Sequence, residues 1–181
     1  MVKEIFINNT KKSLLAGVLI GLGVIINLQA NNPALGALLF SFGLLTIIEM
    51  QLFLYTGKIG FVTTNSQITI PTVISILVFN CLGIAATIGL YALGNQNFVG
   101  IISAAAAIKF SKTIITLFIN ACFCGALIHF AVMIFILIGA EHCIADFPYL
   151  LFNFSPISLL KFISIVIGNS LGAILIERLS K

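Results

Sequence analysis

The sequence predicts an all-α polytopic membrane protein, a single membrane-embedded domain over residues 1–181 with about five to six spans. Of its residues, 60% are hydrophobic and only 8% are charged, whereas a soluble domain carries roughly a quarter charged residues. Most of the chain falls into apolar runs long enough to cross a bilayer. This composition excludes an ordinary soluble enzyme or a disulfide-stapled secreted domain. The nine cations form no basic stripe, so nucleic acid is not an expected partner.

The first half of the chain predicts a span, an interrupted span and a second span. Residues 13–28 form the first apolar run, in which Gly17 and Gly21 stand four apart and allow close helix packing. The run over 34–55 reaches Thr-Gly-Lys-Ile-Gly at 56–60, which predicts a break. Helical backbone can stop at membrane depth only where it is buried in protein or lines a cavity. The run over 70–93 predicts the next span.

The second half begins with a weaker pattern. Residues 98–112 predict a short interfacial helix, and residues 113–140 form a run long enough for a tilted span. The last apolar run, 157–176, predicts a final span. Both termini are cationic, which favours an even number of crossings.

A second break is predicted at 139–148, where Glu141, His142 and Asp146 lie between apolar runs. Ionisable residues inside a membrane segment are candidates for function. One interrupted helix in each half is typical of a binding or permeation site at the membrane midplane. We therefore expect an inverted repeat of about three elements each, with two half-helix ends facing each other. Their exposed N–H groups favour an anion between them.

Residues 139–147 resemble the G-x-E-H-x-x-A-N-M motif of the formate/nitrite transporter family, which are pentameric anion channels with an aquaporin-like fold. Residues 16–23, 54–57 and 168–172 agree with other stretches of that family. The resemblance implies an aquaporin-like inverted-repeat helical bundle with two interrupted helices. It also implies a homo-pentamer with one pore in each protomer. We expect an integral protein of the cytoplasmic (inner) membrane of a prokaryote, with the lipid bilayer and a small anion or weak acid as its partners.

The resemblance also assigns residues of the pore. His142 matches the pore histidine, and Asn169 matches an asparagine of the last helix. The loop that interrupts the second helix corresponds to Leu54, Tyr55 and Thr56. The constrictions correspond to Phe40, Leu44, Leu54, Tyr55 and Phe135.

The chemistry of these residues fits conduction of a weak acid. A bare anion in a narrow apolar pore suffers a large desolvation penalty, and its protonated form suffers much less. Histidine, with an unperturbed pKa of about 6.5, can exchange a proton near neutral pH. We expect Lys58 on one side and Lys109 or Lys112 on the other to attract the anion, and Glu141 to orient His142.

The chain departs from the motif in three ways. The expected asparagine is Asp146, which at i, i+4 can pair with His142 and adds negative charge near the anion path. An asparagine expected in the fourth helix is His129, either a second titratable group or a packed polar residue. The stretch before His142 is also short by about one helix. A truncated non-conducting structural or regulatory homologue, or a channel for neutral solutes such as urea or ammonia, therefore stays open.

No cofactor, metal or enzyme activity is expected. Glu141, His142 and Cys143 are adjacent, and neighbouring residues on a helix point in different directions. Only His142 and Asp146 would converge, which is too few for a metal site. No nucleophile–base pattern is present.

Overall fold

The computed structural model describes residues 2–65, 67–127 and 138–180, with side chains from residue 9 onward, and this part of the chain is helical without strands. Its helices are α1 (Val2–Gln29), α2 (Pro33–Glu49), α3 (Tyr55–Ile59, continued by a 3₁₀ turn over Gly60–Thr63), α4 (Ile70–Gly94), α5 (Gln96–Ser111), α6 (Ile114–Leu127), α7 (Cys143–Phe152) and α8 (Pro156–Leu179). The all-α prediction is confirmed.

Within the described part of the chain, three helices are long and apolar enough to cross a membrane: Asn9–Gln29 within α1, then α4 and α8. Helices α5 and α6 are long and apolar enough only when taken together, and they are bent by 105° at their junction. The shorter apolar helices α2 and α7 lie at the two breaks. Three or four full spans plus two interrupted segments agree with the predicted range of five to six.

Helix starts follow from local sequence. Asn32, Thr69 and Ser155 each cap a helix by accepting a hydrogen bond from a backbone N–H in its first turn, and each precedes a proline near that helix start. Proline fits there because the first N–H groups of a helix have no partner within it. Helix α5 occupies the stretch predicted as an interfacial helix, and it buries Ile102 and Ala106.

The first break covers residues 50–54, upstream of the predicted position at 56–60. Helix α2 ends in a Schellman motif, with Leu52 N–H donating to the carbonyl of Ile47 at 2.9 Å and Gln51 at φ +51°. Gly57 lies within α3. Gly60, expected to break the helix, instead permits close packing, because a Cβ there would lie 3.0 Å from the Ala173 carbonyl oxygen of α8.

A fully buried asparagine holds this first break. The Oδ1 of Asn80, on α4, accepts from Tyr55 N–H at 2.9 Å, the first N–H of α3. Its Nδ2 donates to the carbonyls of Phe53 at 2.9 Å and Ser13 at 2.6 Å. One amide therefore satisfies backbone groups of the break and ties them to α1.

Asn169, on α8, does the same at the second break. Its Oδ1 accepts from Cys143 N–H at 2.8 Å, and its Nδ2 donates to the carbonyls of Glu141 at 2.8 Å and Ala121 at 2.7 Å. Helices α6, α7 and α8 thus repeat the arrangement of α1, α3 and α4. The inverted repeat is confirmed, and its two halves are joined to their breaks by equivalent amides.

The glycines at the contacts between long helices also repeat from one half of the chain to the other. A Cβ on Gly17 would collide with the carbonyl oxygen of Asn80, and a Cβ on Gly125 would collide with that of Asn169. Gly83 and Gly172 meet backbone of the opposing helix in the same way. Each half therefore packs its two long helices backbone to backbone, as small residues permit in membrane proteins.

The backbone of the two breaks also aligns without a gap. Gln51 and Gly139 have positive φ and are 88 positions apart (139 − 51). Leu54 caps α3 and His142 caps α7, again 88 positions apart (142 − 54). His142 therefore occupies the position that Leu54 occupies in the first half.

Candidate functional site

The two interrupted segments meet at a buried polar contact. Thr56 Oγ1 and His142 Nε2 are 3.0 Å apart, and both residues are almost inaccessible to solvent. His142 Nδ1 accepts from the backbone N–H of Ala145 at 3.2 Å and thereby caps α7. Because Nδ1 accepts, the proton of the neutral ring lies on Nε2, which donates to Thr56. The histidine is thus oriented by the start of its own helix.

The apolar residues that the resemblance assigns to a constriction are buried in the structure. Phe40, Leu44 and Leu54 are buried, with at most 4% of their surface exposed. A Cβ on Gly23 would lie 3.0 Å from the Phe40 ring, so the glycine allows that ring to lie against α1. Tyr55, matched to the same constriction, lines neither of the cavities described next. Its hydroxyl lies 2.7 Å from Ser170 Oγ on α8.

Two cavities include these residues in their lining and lie toward opposite ends of the Asn9–Gln29 part of α1. The first, of about 590 Å³, contacts Lys12, and the second, of about 150 Å³, contacts Asn27. These residues are fifteen positions apart (27 − 12), about 22 Å along the helix. Phe40 lines the second cavity and Leu44 the first. These two lining residues are four positions apart on α2, about 6 Å along the helix.

The first cavity has a cationic mouth. Lys12 and Lys58 lie over the Phe53 ring, with Nζ 5.5 Å and 4.9 Å from its centroid. Leu54 and Gln51 also line this cavity. Among the described residues, no carboxylate forms an ion pair with either lysine. The charge of both lysines is therefore available to an anion.

The second cavity contains a compact ion-pair cluster. Lys109 Nζ lies 2.5 Å from Glu141 Oε2 and 2.7 Å from Asp146 Oδ1. Lys112 Nζ lies 2.6 Å from Glu141 Oε1. Lys109 Nζ also lies 5.0 Å from the centroid of the Tyr149 ring. The two carboxylates and two lysines balance each other, unlike the lysines of the first cavity.

Two side chains of this cluster, those of Asp146 and Glu141, contact partners other than the one that the sequence predicts. Asp146 was expected to pair with His142, but its Oδ1 accepts from Lys109 of α5. The side chain of Glu141 is directed to the two lysines, and its carbonyl accepts from Asn169. Glu141 thus fixes the backbone next to His142 through its carbonyl, while its carboxylate contacts the two lysines.

Some of the predicted residues belong to the part of the chain that the structure does not describe. His129, Phe135 and most of the shortened stretch before His142 lie outside the described residues. Asn80 is the residue that sequence reasoning missed. The shared pattern Asn-x-Leu-Gly, at 80–83 and again at 169–172, is the signal that identifies it.

No protein-family model and no curated protein matches this chain. Among solved structures, it is similar to a pentameric formate channel with formate bound, with a TM-score of 0.71 and 17% sequence identity. The alignment covers 99% of this chain and 96% of that chain. The protein therefore shares the fold of a pentameric formate channel over nearly its whole length.

Proposed function

We propose that this protein is a membrane channel for small monovalent anions or their weak acids, of the formate, nitrite or hydrosulfide type. The observation that carries the proposal is the pair of lysine-containing cavities, whose lining residues Leu44 and Phe40 are one turn apart on α2. The shared fold with a formate channel supports the same function.

Charge and burial give each part of the path a role. Lys12 and Lys58 raise the local anion concentration at the mouth of the first cavity. The apolar constriction then penalises a bare anion far more than a neutral acid. A solute that picks up a proton before this point crosses it at lower cost.

His142 is the residue that we propose for proton exchange, assisted by Thr56. The ring nitrogen Nε2 faces Thr56, and Nδ1 is occupied by the Ala145 N–H. Exchange then needs the Ala145 contact to open, so that Nδ1 takes a proton from water in a cavity. The resulting imidazolium releases its Nε2 proton to the anion, through or beside the threonine hydroxyl, which leaves a neutral ring and a neutral acid. Glu141 and Asn169 support this role by fixing the backbone that presents the ring.

We further propose that the protein assembles as a homo-oligomer, a pentamer like the similar formate channel, with a pore in each protomer. Large apolar side chains such as Phe42 and Ile48 are more than half exposed on the single chain. Lipid and neighbouring protomers together would cover these faces.

The proposal is tested by uptake of formate and nitrite into proteoliposomes, between about pH 5 and pH 8 outside. Uptake should exceed that of empty liposomes and rise toward low pH. His142→Ala should lower it about tenfold or more, equivalent to ~1.4 kcal/mol of barrier. Thr56→Val, which removes the hydroxyl at nearly constant volume, should lower it about fivefold, and Thr56→Ser should restore it.

Protein shown to be folded and oligomeric by size-exclusion chromatography with light scattering is the required control. If such protein takes up neither solute above the background of empty liposomes, the channel proposal is wrong. A structural or regulatory role would then be the better explanation.

A further inference from the structure

The carboxyl groups of Asp146 and Glu141 are neighbours within the lysine cluster of the second cavity. Lys109 Nζ lies 2.7 Å from Asp146 Oδ1 and 2.5 Å from Glu141 Oε2. The two acidic side chains are 4% and 0% exposed, and their carboxyl groups share a hydrogen bond. One ammonium group therefore holds together two acidic groups that also contact each other.

A hydrogen bond between two carboxyl groups requires a proton. An ionised carboxylate offers only acceptors, and two adjacent negative charges repel each other. When one group is protonated, its O–H donates to the other group, and the repulsion is replaced by an attraction. Carboxyl groups this close titrate as a pair, which holds one proton under conditions where a separate carboxyl group holds none.

The positions of the donors identify Asp146 as the protonated member of the pair. Glu141 presents one oxygen to Lys109 and the other to Lys112. Asp146 presents only Oδ1 to a lysine, and among the described residues no donor reaches its buried Oδ2. A proton on Oδ2 turns this atom into a donor to Glu141, whose carboxylate oxygens each accept more than one hydrogen bond. The buried Oδ2 is then satisfied within the protein.

This proton changes the charge of the second cavity. With both carboxyl groups ionised, the charges of the two lysines and the two carboxylates cancel, whereas the shared proton leaves one positive charge in excess. The cavity, of about 150 Å³, is lined by both lysines and by His142. Since one water molecule occupies roughly 30 Å³ in the liquid, a small monovalent anion fits in this space. An anion held there lies beside the proposed proton-exchanging residue.

We propose that Asp146 and Glu141 share one proton, and that the second cavity binds a small monovalent anion while this proton is held. The inference deepens the proposed function, on which its role in transport rests, by giving the His142 side of the path an anion site that protonation switches on. The proton comes from the aqueous phase and returns to it, and only the O–H bond of Asp146 forms and breaks. The cavity therefore gains its positive charge as the pH falls and becomes neutral as the pH rises.

Several other groups near the pair are charged or titratable. Those that face Asp146 lie on α5, α6, α7 and the break before α7: Lys109, Lys112, Cys124, Glu141, His142, Cys143 and Tyr149. The residues that α1 and α2 contribute to the cavity are uncharged. Formate titrates as well, so the pH dependence of uptake does not identify the group that carries the proton. The test must detect the carboxyl group itself.

Infrared spectroscopy detects this proton, because the C=O stretch of a protonated carboxyl group is separate from the bands of carboxylates. The chain has only five acidic residues, which keeps this region of the spectrum simple. Spectra of the native oligomer are recorded in a detergent without carbonyl groups, between about pH 5 and pH 9. We expect a protonated-carboxyl band at about pH 6, where separate Asp and Glu side chains are ionised, and its loss as the pH rises. Absence of the band at this pH would overturn the proposal.

Asp146→Asn imitates the protonated state, since its amide oxygen can keep the Lys109 contact and its N–H₂ group can donate to Glu141. The band should be absent from this variant. Glu49→Gln is the matched control, because it removes an exposed carboxyl group outside the cluster. It should keep the band. A band that persists in Asp146→Asn, or that disappears in Glu49→Gln, contradicts the assignment.

Nitrate tests the anion site in the native chain, because it is a small monovalent anion that stays ionised throughout this pH range. Protonation and anion binding are linked, so an anion that prefers the protonated cluster must raise the pH at which the band disappears. Replacement of gluconate, a much larger anion, by nitrate at constant ionic strength should raise this midpoint by about half a pH unit. That shift corresponds to about threefold tighter binding of nitrate to the protonated cluster. An unchanged midpoint would show that the cavity does not bind anions in this way.

Two lysine variants test where the nitrate binds. Lys112→Gln removes a positive charge from the second cavity and should reduce the nitrate-dependent shift to about half or less. Lys12→Gln removes a positive charge from the first cavity and should leave the shift unchanged. Equal shifts in the two variants would place the nitrate outside the second cavity and contradict the proposal.

The infrared measurements and formate uptake can fail independently. A band with a nitrate-dependent midpoint, in a protein that takes up no formate, would refute the proposed function and keep this inference. His142-dependent formate uptake by a protein without the band would do the reverse.

Discussion

The two halves of the protein share a backbone design and differ in chemistry. In each half, a buried asparagine of a long helix binds the first N–H of a half-helix and the carbonyl two residues before it. Yet the equivalent cap residues are Leu54 in one half and His142 in the other. The repeat thus supplies the geometry of the break, and the side chains at equivalent positions differ in chemistry.

The charged residues of the two cavities also differ between the halves. The first cavity carries Lys12 and Lys58 without carboxylate partners among the described residues. In the second, Glu141 and Asp146 neutralise both lysines. A symmetric fold therefore has electrostatically unequal mouths, of which the first attracts anions more strongly.

The largest loss of stability is expected from substitution of the two equivalent asparagines, Asn80 and Asn169. Asn80→Leu and Asn169→Leu each remove three hydrogen bonds and leave buried backbone groups unpaired, at about 1–3 kcal/mol for each group. Each variant should lose roughly 3–6 kcal/mol of stability and much of its folded oligomer. Thermal unfolding in detergent, followed by size-exclusion chromatography, measures this.

Asn97→Leu is the control, because Asn97 is exposed in the first turn of α5. It should unfold at nearly the native temperature. If only one of the two buried asparagines proves essential for stability, the two halves are not energetically equivalent. The shared backbone design would then be wrong as an account of their stability.

The sequence predicts the parts of this design that depend on composition and on short motifs. Long apolar runs predict the spans, and the segment around His142 predicts the second break. The first break was misplaced because Gln51, rather than a glycine, takes the left-handed conformation that ends α2. No local pattern marks Gln51 for that role.

The ion-pair cluster was unpredictable for a different reason. Lys109 and Asp146 are 37 positions apart and meet only because α5 packs on α7. Spacing along one helix favoured His142 as the partner of Asp146, but tertiary packing supplied a stronger one. Local rules predict which residues share a helix face, whereas partners on other helices require the fold.

A smaller effect is expected at the helix crossings. Gly17→Ala and Gly125→Ala each place a methyl group against the backbone of the opposing helix, which should cost about 1–3 kcal/mol. Gly89→Ala, where nothing lies within 4 Å, should be neutral or stabilising by up to about 1 kcal/mol. Melting temperatures of the three variants test this ranking, and a Gly89 variant as unstable as the other two would contradict it.

The smallest expected effect concerns the difference in charge between the two cavities. Lys58→Gln removes an uncompensated charge from the first cavity, so the half-saturating formate concentration should rise about two- to fivefold. Exposed Lys11→Gln is the control for net charge. Lys112→Gln should change this concentration less, because Glu141 already neutralises Lys112.

The Lys58 effect should shrink at about 1 M salt, where charges are screened beyond about 3 Å. Equal effects of Lys58→Gln and Lys112→Gln would mean that the mouths do not differ as anion attractors. The asymmetry would then lie in His142 and Asp146 alone.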